Sequence, residues 1–299
     1  DVAADVAAGR GNGRHLDGYA LPAQLDATDD LGSAVRGADM LVMGVPSHGF
    51  RQVLESVVDA VGPEVPVISL TKGFERSTGL RMSQVAADVL SGRPVGVLTG
   101  PNLAREILEG RSAATVIAAT DPSAATALQG LLASERLRVY TNDDLVGCEL
   151  AGALKNVIAL AAGMAEGLDT GDNARAALIT RGLAEMTRLG VAMGGDPMTF
   201  AGLAGMGDVM ATCVSPQSRN RWVGEQVGRG ASPESVLAGM DQVAEGVRTA
   251  AVACEMAATV GVEVPVAEGV RSVFDLGHSP TEVWSTLMSR RAGPEVSTT

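Results

Sequence analysis

Aromatic residues make up only 3% of this 299-residue sequence, too few for the stacking platforms on which single-stranded nucleic acid is read. Positive charge is also short, with a net charge of −12. That balance excludes a protein that binds by tracking a phosphate backbone. It leaves room for a small anionic substrate, because one local cluster of cations can hold a phosphate inside an acidic protein. Three cysteines, Cys148, Cys213 and Cys254, lie far apart and outside any CxxC pair, and His15, His48 and His278 have no metal-ligand spacing. The pattern reads as reduced thiols rather than a disulfide framework, and as no metal site. The most apolar stretch, residues 150–163, is rich in Gly and Ala, short for a membrane span, and carries a lysine. No secretory signal pattern opens the sequence, so the expectation is a soluble cytoplasmic protein with no membrane span and no nucleic-acid partner.

Lysine is the scarcest charge. Of 23 basic residues 21 are arginine, and Lys72 and Lys155 are the exceptions. Arginine serves solvation and ion pairing but does not give up its proton near neutral pH, whereas a desolvated lysine can. The two lysines are therefore candidates for chemistry.

With 46% hydrophobic and 19% charged residues, the chain has ample material for a core, and its length suggests two domains. In the first half, short aliphatic runs at residues 40–45, 65–70, 95–98, 114–118 and 137–140 alternate with helical patterns such as 50–61. That rhythm is α/β, with functional groups expected just beyond the strand C-termini, where Lys72 and Gly100 stand. From about residue 142 the pattern changes to long Ala-rich helices, read at 147–168, 172–190 and 233–260. The first of these is apolar nearly all round, Lys155 being its one charge between Glu149 and Glu166, which predicts a buried helix. The expected boundary separates residues 1–145 from a mainly α-helical domain at 146–299.

A dinucleotide-binding α/β domain opens with a strand, a GxGxxG turn and a helix. Gly9, Gly11 and Gly13 have GxG spacing, but no apolar strand precedes them and Pro22 follows closely. They read as a surface loop, not a phosphate loop.

Four segments carry the remaining signal: Ser69 to Glu75 (SLTKGFE), Thr99 to Glu106 (TGPNLARE), Glu149 to Asn156 (ELAGALKN), and Gly205 to Cys213 (GMGDVMATC) with Ser218-Arg219-Asn220-Arg221 behind it. With Val243-Ala244-Glu245-Gly246, they resemble, in this order, the NAD(P)-dependent glycerol-3-phosphate dehydrogenases of the bacterial cytosolic type. The resemblance implies a Rossmann-like N-terminal domain followed by the helical one. It also implies that Asp1 falls beyond the family's GxGxxG unit, so that the N-terminal domain is incomplete; the expectation is that the 299-residue chain by itself binds NADPH poorly while the full-length gene product is active.

The resemblance assigns roles residue by residue. Lys155 corresponds to the catalytic lysine that exchanges a proton with substrate oxygen, and Lys72 to a second lysine touching substrate and cofactor. Asp208 corresponds to the carboxylate that holds an ammonium in place. Gly100, Asn102, Ser218, Arg219 and Asn220 fall at substrate positions, Asn102 standing where the family usually has serine or threonine. His15, Ala104, Val243 and Glu245, with Lys72 and Arg219, fall near the cofactor, NADPH or NADH. The implied substrates are glycerol 3-phosphate and dihydroxyacetone phosphate, for phospholipid synthesis, and the implied assembly is a homodimer. Two readings compete: a related 3-hydroxy acid dehydrogenase, and a non-catalytic dimerisation or binding module.

Overall fold

The computed structural model describes residues 2–240 and 244–291. Its packing divides into two units, Asp1–Gly152 with Gly194–Asp208, and Ala153–Met193 with Val209–Thr299.

The first unit opens with α1 (Val2–Ala7) and α2 (Leu31–Val35), the latter capped by the Asp30 carboxylate, which accepts from the N–H groups of Gly32 and Ser33. There follow β1 (Leu41–Met43), α3 (Phe50–Val57), β2 (Val67–Ser69), α4 (Met82–Val89), β3 (Val95–Thr99), α5 (Ala104–Leu108), β4 (Ala113–Ala119), α6 (Pro122–Leu132) and β5 (Leu137–Asn142). The strands lie side by side in sequence order. Adjacent side chains on a strand face opposite ways, and β2 shows the consequence. Val67 packs with Phe50, Leu54, Met82 and Val85 of α3 and α4, while its neighbour Ile68 packs with Ile117, Ala125, Leu128 and Val139 beside α6. The unit is thus a sheet covered on both faces.

All five expected strands are present. β1 takes up only three residues of the run at 40–45, and Val42 is half exposed. The sheet is also mixed: β1, β2 and β3 are parallel, β4 runs antiparallel to β3, and β5 is parallel to β4. Hydrophobic runs report burial, not strand direction. Gly9 and Gly11 take positive φ after α1 rather than after a strand, as the loop reading expected.

α7 (Leu145–Gly167) is one continuous helix whose first turns pack in the first unit. Beyond it come α8 (Asp172–Ala192), α9 (Pro197–Ala201), a π-helical stretch Leu203–Gly207, α10 (Asp208–Val214), α11 (Arg219–Gly228), α12 (Pro233–Ala238), α13 (Glu245–Val260), α14 (Pro265–Phe274) and α15 (Pro280–Ser289). By length and composition α7 could cross a membrane, yet 89% of its apolar window is buried within the protein. The helix expected at 233–260 is two helices: α12 ends at Ala238 and α13 starts at Glu245.

Glycine lets α7 and α11 touch backbone to backbone. A Cβ on Gly163 or Gly167 would land on the main chain of α11, and one on Gly224 or Gly228 on the main chain of α7. On the same helix, Gly246 of α13 lies against the carbonyl of Asn156.

Glu185 of α8 is buried, and both its oxygens lie within hydrogen-bond distance of the Val266 N–H, 3.1 and 2.9 Å, in the first turn of α14, whose N-cap Val264 supplies no side-chain cap. Burial pushes its carboxyl up to about 7 from 4.5; that backbone bond and Arg188 oppose the rise, and Glu268 adds to it. The folded protein therefore binds a proton that the unfolded chain releases between these values. Stability from this group is complete below pH 4.5 and is lost as pH rises through 7, a swing of about 3 kcal/mol. Glu185→Gln keeps an acceptor for Val266 and removes the charge. It is expected to flatten that part of the profile, read from urea midpoints at pH 5 to 8.

Candidate active site

The first unit gathers Lys72, Gly100 and Asp208 at the ends of β2 and β3. Lys72 follows β2 by three residues, and its ammonium donates to the Gly100 carbonyl at 2.9 Å and to Asp208 Oδ2 at 2.5 Å. Gly100 follows β3 at once with φ +119°, a backbone conformation open to glycine and strained for other residues. Asp208 is 2% exposed and Lys72 19%. A carboxylate so buried is stable only with a charge partner, and the lysine provides it.

Asp208 reaches Lys72 because residues 194–208 are tied to the end of the sheet. Asn142 donates to Thr199 Oγ1 at 3.2 Å, and the Asp196 N–H donates to Asp144 Oδ2 at 2.7 Å. The wide π turn ahead of Asp208 needs Gly205, where a Cβ would enter the backbone of Phe200. Such turns often mark functional positions.

Asn102 is locked in orientation. Thr115 Oγ1 spends its proton on the Thr99 carbonyl at 2.8 Å, so it can only accept from Asn102 Nδ2, at 2.9 Å. The amide oxygen of Asn102 is buried with no hydrogen-bond partner among the described residues.

In the second unit Lys155, 8% exposed on α7, donates to Thr212 Oγ1 at 2.7 Å. The sequence reading missed Thr212. It stands four residues after Asp208 on α10, one turn along the same face, and that spacing was the available signal. Beside Lys155, Asn156 accepts from Asn220 Nδ2 at 3.0 Å, while Asn220 Oδ1 accepts from the Gly246 N–H at 3.0 Å. The Asn220 side chain therefore clasps α7, α11 and α13 together, and Asn156 was a further omission.

Ser218 caps α11, its Oγ accepting from the Arg221 N–H at 3.2 Å. At this helix start a ligand would meet the first-turn N–H groups at Arg219 and Asn220, the Arg219 guanidinium, and the Ser218 hydroxyl proton and second Asn220 amide proton, which the bonds above do not use. Arg219 is solvent-accessible, yet its surroundings desolvate the guanidinium and lower its pKa, against the opposing charge of Glu245. No carboxylate among the described residues forms an ion pair with it. An accessible, desolvated cation at a helix N-terminus is a place for an anion.

The remaining candidates lie as follows. His15 is exposed in the loop after α1, Ala104 is exposed at the start of α5, and Glu245 is half-buried as the first residue of α13. Val243 lies outside the described residues.

Residues 1–125 match the family domain described as the NAD-dependent glycerol-3-phosphate dehydrogenase N-terminus, and residues 144–285 match its C-terminus. The chain belongs to this family. It is 54% identical over 284 residues to "Glycerol-3-phosphate dehydrogenase [NAD(P)+] 2" of Sphingopyxis alaskensis, covering 95% of this chain and 85% of that one. It is 49% identical over 297 residues to a glycerol-3-phosphate dehydrogenase [NAD(P)+] of Mycobacterium avium, covering 99% and 87%. Its fold superposes on the crystal structure of glycerol-3-phosphate dehydrogenase from Coxiella burnetii with a TM-score of 0.93 at 33% identity, covering 97% and 89%.

Proposed function

We propose that this chain is an oxidoreductase that interconverts sn-glycerol 3-phosphate and dihydroxyacetone phosphate with NADPH or NADH, supplying glycerol 3-phosphate for glycerophospholipid synthesis. The observation that carries the mechanism is the division of labour between the two lysines. Lys72 is held in place by Asp208 and the Gly100 carbonyl, and Lys155 is buried on an apolar helix with a hydrogen bond to the hydroxyl of Thr212.

Reducing the ketone requires a hydride on its carbon and a proton on its oxygen. NADPH or NADH, when bound, supplies the hydride. Lys155 Nζ gives the proton to the substrate oxygen in reduction and takes it back in oxidation, with Thr212 holding the amine in place. Lys72, fixed by Asp208 and the Gly100 carbonyl, presents positive charge to the polarised carbonyl oxygen. Arg219 and the first-turn N–H groups of α11 hold the phosphate. The donor set also fits the cofactor's chemistry. Arg219, which forms no ion pair among the described residues, also suits an edge of the cofactor, Glu245 suits its hydroxyls or carboxamide, and His15, Lys72, Ala104 and Val243 complete the proposed contacts. The same reading makes the protein a cytoplasmic homodimer, which sedimentation would test.

Arg219→Met is expected to raise KM for dihydroxyacetone phosphate by about 100-fold, since it removes a charged phosphate donor. Steady-state kinetics with that substrate and with 3-hydroxy acids check the reading; preference for a 3-hydroxy acid, or an unchanged KM, would count against it.

A further inference from the structure

Outside the proposed site lies one buried charged cluster that the mechanism leaves unused. Glu149, 8% exposed in the early turns of α7, accepts from the Ser83 N–H at 2.8 Å and from Ser83 Oγ at 2.5 Å, and forms a close ion pair with Arg81. Arg81 in turn donates to Ser83 Oγ at 2.9 Å. Ser83 is in the first turn of α4, so its N–H has no partner within that helix. A carboxylate from another helix supplies one, with favourable charge at a helix start.

What this cluster joins is the point of interest. The segment that leaves β2 carries Lys72 and then closes a short hairpin, in which Phe74 bridges Arg81 and the Glu75 N–H donates to the Leu80 carbonyl at 2.9 Å. Arg81 ends that hairpin and is the residue Glu149 grips. Three residues further along α7, on the same face, stands Gly152. A Cβ there would sit 2.8 Å from Thr99 Oγ1 and 3.6 Å from Lys72 Cγ. The anchor at Glu149 and the surface against which the Lys72 stem packs are therefore one turn apart on one helix.

We propose that Glu149 is a positioning residue for Lys72: by holding the Arg81 end of the hairpin to α7, it fixes the helix turn at Gly152 that seats the lysine stem beneath its bonds to Asp208 and Gly100. The inference rests on the reading of Lys72 as a substrate contact.

A double-mutant cycle tests it, with kcat/KM for dihydroxyacetone phosphate and the calorimetric affinity for glycerol 3-phosphate as readouts, so that the cycle closes even where turnover is lost. Glu149→Gln is expected to lower both by about tenfold in the native background and by less than about twofold when Lys72 is already alanine, the non-additivity of residues acting through one another. Ser83→Ala, which removes the two bonds of the Ser83 hydroxyl and leaves the ion pair and the backbone bond, is expected to give a smaller loss of the same kind; it stands in if Glu149→Gln does not fold. Equal losses in both backgrounds, or no loss in the native one, would overturn the inference. A Lys72→Ala variant with native affinity and turnover would instead overturn the site reading beneath it, and the inference with it.

Discussion

Lys155→Ala is expected to lower kcat by about 10²–10⁴-fold, the span that a positioned proton donor contributes, while affinity for glycerol 3-phosphate stays within a few-fold. Alanine suits an apolar, fully buried helix, so the fold has little to lose at this position. The phosphate donors at Arg219 and the start of α11 are untouched. What disappears is the one group on that helix face able to exchange a proton with substrate oxygen, leaving Thr212 with a hydroxyl whose own proton is not acidic enough to replace it. Lys155→Arg should fare no better, because guanidinium keeps charge but does not surrender its proton. A fall in kcat with affinity preserved is the signature of a group that acts in the transition state.

The second large effect is on stability. Gly224→Ala is expected to destabilise the second unit by about 3 kcal/mol or more, the upper range for overpacking. The added methyl would enter the carbonyl of Leu160, which is backbone and cannot rotate aside as a side chain can. The two helices must separate, and the Asn156–Asn220–Gly246 clasp beside Lys155 loosens with them. Gly130→Ala is the matched control. Gly130 lies in α6, and a methyl added there would meet nothing within 4 Å, so the variant should gain about 0.5–1 kcal/mol from helix propensity. Urea unfolding of both variants checks the contrast.

The parts of this molecule that could be read from sequence are those with a local signature. Aliphatic runs marked the five strands, and the apolar character of 150–163, broken only at Lys155 and Asn156, marked a buried helix. The placement of Lys72 and Gly100 beyond strand ends followed from α/β grammar, and the structure pairs Lys72 with Asp208. What escaped depends on distant geometry. The antiparallel β4 leaves no mark on hydrophobic pattern. Ser218 and Asn220 also serve the fold, through a helix cap and an interhelix clasp, demands visible only once the second unit's helices are packed. Thr212 was missed because it matters through its bond to Lys155, fifty-seven positions away in sequence. The break between α12 and α13 falls near Gly239, in a run whose Ala-rich composition otherwise favours helix.

If Lys155 moves the proton in a dihydroxyacetone phosphate reduction, its removal must stop turnover without emptying the site. The most direct test is the loss of NADPH absorbance on adding dihydroxyacetone phosphate, followed for the native protein and for Lys155→Ala at matched concentration and with binding of glycerol 3-phosphate measured alongside. The expected result is turnover in the first, a loss of about two orders of magnitude or more in the second, and comparable binding in both. Undiminished turnover in Lys155→Ala would contradict the assignment.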